Sequence, residues 1–329
     1  MKKKILFRVD YNKKIGLGHI FRCLNLALLL KKYKHEVTFL VKKEKKVNLI
    51  KNKKIKFIFL KKNISFKDEA NLILKLFKRD NYDFLILDID NFLTDKLKYE
   101  KFLEKIKNIL NKTICWDNIV SNKFKFALTY RPYPNYLNLK KIKRDQKILS
   151  GLENFYYPFV KEKKKDGYRN ILISLGGTVQ TKILKKIILN INLIKMEHKL
   201  NIKILNFGKK KNIKKTRHHN FSTITKPIIN SRIYDNIDIA IISGGMSKYE
   251  CMLNSIPSII INLNKQQSWI NKNLNVKKLS LVVDNINLFY KKLNILLSNK
   301  SLRTEIRNNC YKIRKKFDEK KLINSLLNS

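Results

Sequence analysis

Glycine and proline are scarce in this chain, nine and five among 329 residues. That scarcity excludes collagen-like, elastic and low-complexity architectures. Cysteine is scarcer still: Cys23, Cys115, Cys251 and Cys310 lie far apart, with no Cys-x-x-Cys pair and no histidine at ligand spacing. Neither a zinc site nor a secreted disulfide framework is expected, and the cysteine usage reads as that of a reducing compartment. Acidic residues number only 25 against 73 lysines and arginines, a formal net charge of +48. Long apolar runs are missing too, since no window approaches the roughly 18 uninterrupted apolar residues of a spanning helix. The lysines of Met1-Lys2-Lys3-Lys4 precede an apolar run that Arg8 and Asp10 interrupt too soon for a signal peptide. The expectation is a soluble, cytoplasmic protein.

A charge of this size would ordinarily point to nucleic acid or an anionic membrane. Its composition argues otherwise. Only 11 of the 73 basic residues are arginine, the side chain whose planar fork suits phosphate and base recognition. Lysine spread along nearly every segment, amid abundant asparagine and isoleucine, reads as drift towards A/T-rich codons and as a solvated surface. No nucleic-acid partner and no stable membrane insertion are expected. Peripheral contact with an anionic surface stays open, and the field would raise the on-rate of an anionic substrate. Hydrophobic residues make up 44% of the chain, with 18 Phe and 14 Tyr, enough to fill the cores of two α/β domains.

Apolar runs alternate between the strand and helix periods. Strands are predicted over Lys4–Val9, Glu36–Val41, Ile55–Leu60, Asp83–Asp88, Thr113–Trp116 and Phe126–Thr129, with helices over Ile20–Leu30, Glu69–Lys78 and Asp95–Leu110. Between about Arg131 and Lys165, where Pro132, Pro134 and Pro158 fall, the pattern breaks as at an interdomain connection. A second series follows, with strands Asn170–Ser174, Lys203–Phe207, Ser222–Thr225, Asp238–Ile242, Pro257–Asn262 and Leu281–Val283. Its helices are Thr181–Ile194, Ser247–Asn254, Trp269–Lys278, Ile286–Leu297 and Leu302–Leu327. Such alternation implies parallel sheets with helices on both faces. The predicted α/β architecture is two Rossmann-like parallel-sheet domains facing a cleft, residues 1–150 and 151–329.

Three segments carry candidate chemistry. Ile15-Gly16-Leu17-Gly18-His19-Ile20-Phe21-Arg22 follows the first strand, and two glycines one residue apart let backbone N–H groups approach an anion. Phe21 stands where the dinucleotide fingerprint needs a third glycine, and no Gly-Lys-Ser/Thr follows to make a Walker loop. The turn presents His19 at the mouth of a parallel sheet, either as a functional group or as a capping or packing residue. Ser174-Leu175-Gly176-Gly177-Thr178 and Ser243-Gly244-Gly245-Met246-Ser247 put small residues where a diphosphate would sit. Glu250 is either the partner of Ser247 in a capping box or a carboxylate for the ribose hydroxyls of a nucleotide. Asp88 and Asp90 close a buried strand, as loop acids or as holders of sugar hydroxyls. His35, His198, His218 and His219 are expected at the surface, and Trp116 and Trp269 are expected to pack. No cofactor and no metal are expected.

The segments I-G-L-G-H-I-F-R-C-L-N-L-A at 15–27, L-G-G-T at 175–178 and S-G-G-M-S-K-Y-E at 243–250 resemble a known family. In order and spacing, across nearly the whole chain, they are similar to the PseG/SpsG-like UDP-sugar hydrolases of pseudaminic acid biosynthesis, relatives of the MurG-type glycosyltransferases. The resemblance implies the two-domain GT-B fold and a UDP-sugar as small-molecule partner. The implied reaction is hydrolysis of a UDP-linked 2,4-diacetamido-2,4,6-trideoxyhexose by C–O cleavage with inversion, in nonulosonate biosynthesis. It implies His19 as the base that activates water, with Gly16, Gly18, Arg22 and Asp88 as substrate contacts in the first domain. In the second domain it implies Gly176, Gly177, Thr178, Ser243, Gly244, Gly245, Met246 and Ser247 around uridine and diphosphate, Glu250 on the ribose, and Gln267 near the sugar.

Imidazole suits the base role because its ordinary titration lies near working pH. One base without a covalent intermediate implies inversion. With a sugar hydroxyl in place of water, the same apparatus is an inverting UDP-sugar-dependent glycosyltransferase of the MurG-like type, and that alternative stays open. The chain departs from the family where the sugar would lie: Asp90 replaces an aromatic residue, Asp117-Asn118 an acidic pair, and Tyr130-Arg131 an expected asparagine. Gly151–Phe159 matches only loosely. The turn-forming stretch Arg314–Lys321 is where a chain of this fold generally returns to its first domain.

Overall fold

The computed structural model describes residues 1–12, 16–43, 55–89, 95–117, 123–133, 146–158, 167–176, 181–205, 218–224 and 231–328. The chain divides into two compact units, one made of Met1–Tyr156 with Phe317–Ser329 and the other of Tyr157–Lys316.

The first unit holds strands β1 (Lys4–Val9), β2 (Glu36–Lys42), β3 (Lys56–Leu60), β4 (Phe84–Asp88), β5 (Thr113–Trp116), β6 (Leu128–Arg131) and β7 (Ile148–Ser150). Helices α1 (Gly18–Lys32), α2 (Phe66–Asp80) and α3 (Lys96–Lys105) connect them. The sheet order is β3-β2-β1-β4-β5-β6-β7, and every pairing is parallel. Strand order therefore reverses between β1 and β4, the crevice where ligands bind in such sheets. β4 is apolar up to its terminal Asp88 and buried throughout, as a central parallel strand covered on both faces must be. Leu6, Leu40, Leu85 and Leu87 pack there against Ile73, Leu76 and Phe77 of α2 and Tyr99, Phe102 and Leu103 of α3. The Ser65 side chain caps α2 by accepting from the Asp68 N–H, and Asn81 ends that helix in the left-handed conformation.

The second unit holds β8 (Asn170–Ser174), β9 (Asn201–Leu205), β10 (Asn220–Ile224), β11 (Ile239–Ser243), β12 (Ser258–Ile261) and β13 (Leu281–Val283). Its helices are α4 (Thr181–Asn192), α5 (Ser247–Leu253), α6 (Lys265–Asn271), α7 (Phe289–Ser298) and α8 (Lys300–Arg314). The order β10-β9-β8-β11-β12-β13 is again all parallel, with its reversal between β8 and β11.

Differences from the sequence reading have local causes. The helix predicted over Leu302–Leu327 is two: α8, and α9 (Glu319–Leu327), which the Asp318 side chain caps by accepting from the Lys321 N–H. α9 belongs to the first unit, where Glu319 pairs with Lys32 at 2.6 Å and the Phe317 ring lies 6.0 Å from that of Tyr156. The chain end is thus separate from the unit to which residues 151–329 were assigned, and the first unit runs to Tyr156. α6 starts before the predicted Trp269 because Asn264 caps it, accepting from the Gln267 N–H. β7 has only three residues, too few to show a period. His219, expected at the surface, is buried: its Nδ1 accepts from the Leu200 N–H at 3.3 Å and its Nε2 lies 3.2 Å from the Ile191 carbonyl. Trp269, expected to pack, is half exposed at 51%.

Candidate functional site

In the first unit the reversal point is a network of charged side chains. Asp88, fully buried at the end of β4, accepts at Oδ1 from His19 Nδ1 (2.7 Å) and Arg22 Nη2 (2.5 Å). Its Oδ2 accepts from Arg22 Nε (2.8 Å) and the Cys23 thiol (3.2 Å). Burial alone would push this carboxyl up, but Arg22 and His19 outweigh it and hold it well below the usual carboxylate range. An ionised carboxylate only accepts, so His19 carries its proton on Nδ1. Nε2 is left with no partner among the described residues, and the ring is 22% exposed while Asp88 is fully covered. The Cys23 thiol, pushed up by burial, stays protonated as a donor.

Arg22 is spread across the site rather than turned outward. Besides Asp88, its Nη2 reaches Asp117 Oδ2 at 3.0 Å, its Nη1 bonds the Tyr133 hydroxyl, and its guanidinium lies 4.7 Å from the Trp116 ring centroid. Tyr133 donates to Asp117 Oδ2 (3.2 Å) and accepts from Trp116 Nε1 (2.9 Å), using a phenol's full donor and acceptor capacity. Arg22 is 5% exposed and, through its bonds to Asp88, braces that carboxylate. Asp117 sits in the left-handed region at φ 72°, a conformation that costs a non-glycine residue energy. Gly16 sits at φ +81°, and its N–H donates to the Asn12 carbonyl at 2.8 Å. Gly18 opens α1, whose N-terminus has no side-chain cap.

In the second unit the reversal point is built from small residues. Gly176 follows β8 at φ +87°, and a Cβ there would lie 3.5 Å from the Ser243 hydroxyl at the end of β11. A Cβ on Gly245 would approach that hydroxyl at 3.7 Å, so Gly176, Ser243 and Gly245 form one patch. Gly177 and Thr178 lie outside the described residues, as does Asp90. Met246 stands at the N-cap position of α5 without a side-chain cap, so Ser247 and Glu250 form no capping box. Glu250 instead accepts at Oε2 from the Tyr234 hydroxyl, and Oε1 takes no hydrogen bond among the described residues. Burial raises the Glu250 carboxyl above its usual value, with Tyr234 opposing the shift, and burial raises Tyr234 itself. The edge of Tyr157 packs on the Tyr234 ring, with centroids 6.2 Å apart. Gln267 spends its Oε1 on the Leu263 N–H at 2.9 Å.

Tyr133, Tyr234 and Lys248 were not singled out from the sequence. The tyrosines lie in irregular or very short elements where no period marks them, and Lys248 is hidden among 62 lysines. Among the described residues, no group of three His, Cys, Asp or Glu could hold a metal ion, and no helix is long and apolar enough to cross a membrane.

No family model matches the sequence. The uncharacterized protein MJ1062 of Methanocaldococcus jannaschii is 27% identical over 296 residues, covering 80% of this chain and 56% of that protein. The chain therefore spans about half the length of the curated relative it matches. Among solved structures, MurG of Acinetobacter baumannii matches with a TM-score of 0.67 and 13% identity over 100% of both chains. The spinosyn rhamnosyltransferase SpnG, solved with thymidine diphosphate, matches with a TM-score of 0.68 and 11% identity over 99% of this chain and 100% of its own. The spinosyn forosaminyltransferase SpnP gives 0.66 and 12% over 100% of both. At these identities the likeness concerns the fold, and the fold is that of the GT-B glycosyltransferases, with two parallel-sheet α/β units.

Proposed function

We propose that this chain is an enzyme that breaks the anomeric C–O bond of a nucleotide sugar with inversion and passes the glycosyl group to a hydroxyl acceptor. The observation that carries the reading is the hydrogen-bonded His19–Asp88 pair at the reversal point of the first sheet, with Nε2 left for a second partner. As the acceptor oxygen attacks the anomeric carbon, its proton goes to Nε2. The C–O bond to the diphosphate breaks, and its electron pair leaves with the phosphate oxygen. The imidazolium formed is stabilised by Asp88, which Arg22 and Cys23 keep ionised and oriented. The second unit supplies the nucleotide contacts: Gly176, Ser243, Gly244, Gly245, Met246 and Ser247 for the diphosphate, and Glu250 for the ribose hydroxyls. Gly177 and Thr178 extend the first of those loops in the sequence. UDP is the nucleotide that the motif resemblance favours.

The glycosyltransferases of the same fold favour a sugar or other organic hydroxyl as the acceptor. Water is the second reading, favoured by the likeness of Ile15–Ala27 and Ser243–Glu250 to the UDP-sugar hydrolases of pseudaminic acid biosynthesis. Both readings are tested by incubating the protein with a panel of UDP-sugars in ¹⁸O-water and following UDP by mass spectrometry. UDP released only when an acceptor is added supports transfer. UDP released without one, with label at C1 of the free sugar, supports hydrolysis. Label in the phosphate contradicts both.

A further inference from the structure

Lysine covers this protein's surface, yet among the described residues one lysine is buried: Lys248, 2% exposed. Its ammonium donates to the Gly244 carbonyl at 2.7 Å, and the Asn271 amide reaches the same oxygen at 3.4 Å. Gly244 is pinned on its other side as well, because its N–H donates to the Ile261 carbonyl at 3.0 Å. A Cβ on Gly244 would come within 2.5 Å of both Asn262 Oδ1 and Asn271 Nδ2, so only glycine fits against this amide cluster. Among the described residues no peptide bond is cis, and in a trans peptide C=O and N–H point opposite ways. With the Gly244 carbonyl turned inward to Lys248, the Gly245 N–H of the same peptide is turned outward. That N–H has no partner among the described residues.

We propose that Lys248 is a positioning residue for the diphosphate of the nucleotide, acting through the Gly244–Gly245 peptide. This inference rests on the nucleotide reading given above. A peptide between two glycines meets little side-chain resistance to flipping, and the buried ammonium holds it in one orientation. The same bond polarises the peptide, so that the outward N–H becomes a stronger donor to an anionic oxygen. Uridine, which lacks phosphate, does not draw on this device.

The test is calorimetry with UDP and with uridine on the wild-type chain and on Lys248→Met, which keeps the stem and removes the ammonium. The expected result is UDP affinity about tenfold or more weaker, as for loss of a charge-assisted hydrogen bond. Uridine affinity is expected to stay within about twofold. Equal losses for both ligands mark a merely structural lysine, and unchanged UDP affinity marks an irrelevant one; either overturns the inference. Should the Met variant fail to fold, Lys248→Gln keeps a donor for Gly244 without the charge, and a loss for UDP alone is again expected. A wild-type chain that binds neither ligand overturns the nucleotide reading, and this inference with it.

Discussion

Both sheets reverse their strand order at their centre, but the two reversal points are furnished differently. Between β1 and β4 stand His19, Arg22, Asp88 and Asp117, side chains tied to one another by charge-assisted bonds. Between β8 and β11 stand Gly176, Ser243, Gly244 and Gly245, small residues of which Gly176 and Gly245 are partly exposed and Ser243 and Gly244 buried. The contrast teaches that one topology offers two kinds of site. On the proposed reading, the charged groups braced to one another fix a proton acceptor, whereas the small residues offer the Gly245 N–H to an anion.

The largest expected effect breaks the first half of the contrast. Asp88→Asn leaves a neutral amide facing His19 and should lower kcat by about 10² to 10⁴, the range of general-base catalysis, with UDP affinity unchanged. Arg22→Leu follows, since it strands Asp88 and Asp117 with uncompensated charge; urea unfolding should show a loss of about 3–5 kcal/mol. Asp88 also sets an acid limit. Its carboxyl is depressed in the folded chain, so its stabilisation is present above about pH 4 and is withdrawn as pH falls below that. Asp88→Asn should flatten the acid unfolding profile.

Glu250→Gln sharpens the second half. It should weaken UDP by about tenfold, the value of a hydrogen bond to a charged group, and leave acid stability in place. Because burial raises the Glu250 carboxyl while ribose hydroxyls would favour its ionised form, UDP affinity should rise with pH through that titration. Calorimetry in buffers of different ionisation enthalpy should show proton release that the variant lacks. The smallest effect is at His219, whose imidazole is depressed chiefly by burial. The folded chain keeps it neutral, so its contribution is present above about pH 6.5 and is lost as pH falls towards the depressed value. Thermal melts between pH 5 and 8 should slope less in His219→Gln.

Strands were legible because buried parallel strands are continuous apolar runs: Lys4–Val9, Asn170–Ser174 and Leu281–Val283 have the predicted bounds. Helix bounds were less legible, since caps decide them; Asn264 moves the start of α6 and Asp318 divides the last helix. His19 stood out through its flanking glycines and Asp88 through its place at a strand end. Their partners did not. The burial of Arg22 was not legible, because nothing in a helical pattern tells a buried arginine from an exposed one. Tyr133 and Asp117 reach it from separate strand ends that only the sheet order brings together. His219 misled for the opposite reason, a lysine-rich neighbourhood concealing a side chain that joins two backbone segments.

The most direct test is to measure UDP affinity and UDP-sugar turnover on the same preparation of His19→Ala. The division between the two reversal points predicts affinity within about twofold of wild type and turnover lower by about 10² or more. Turnover that persists, or that falls only in proportion to a loss of UDP binding, would contradict it.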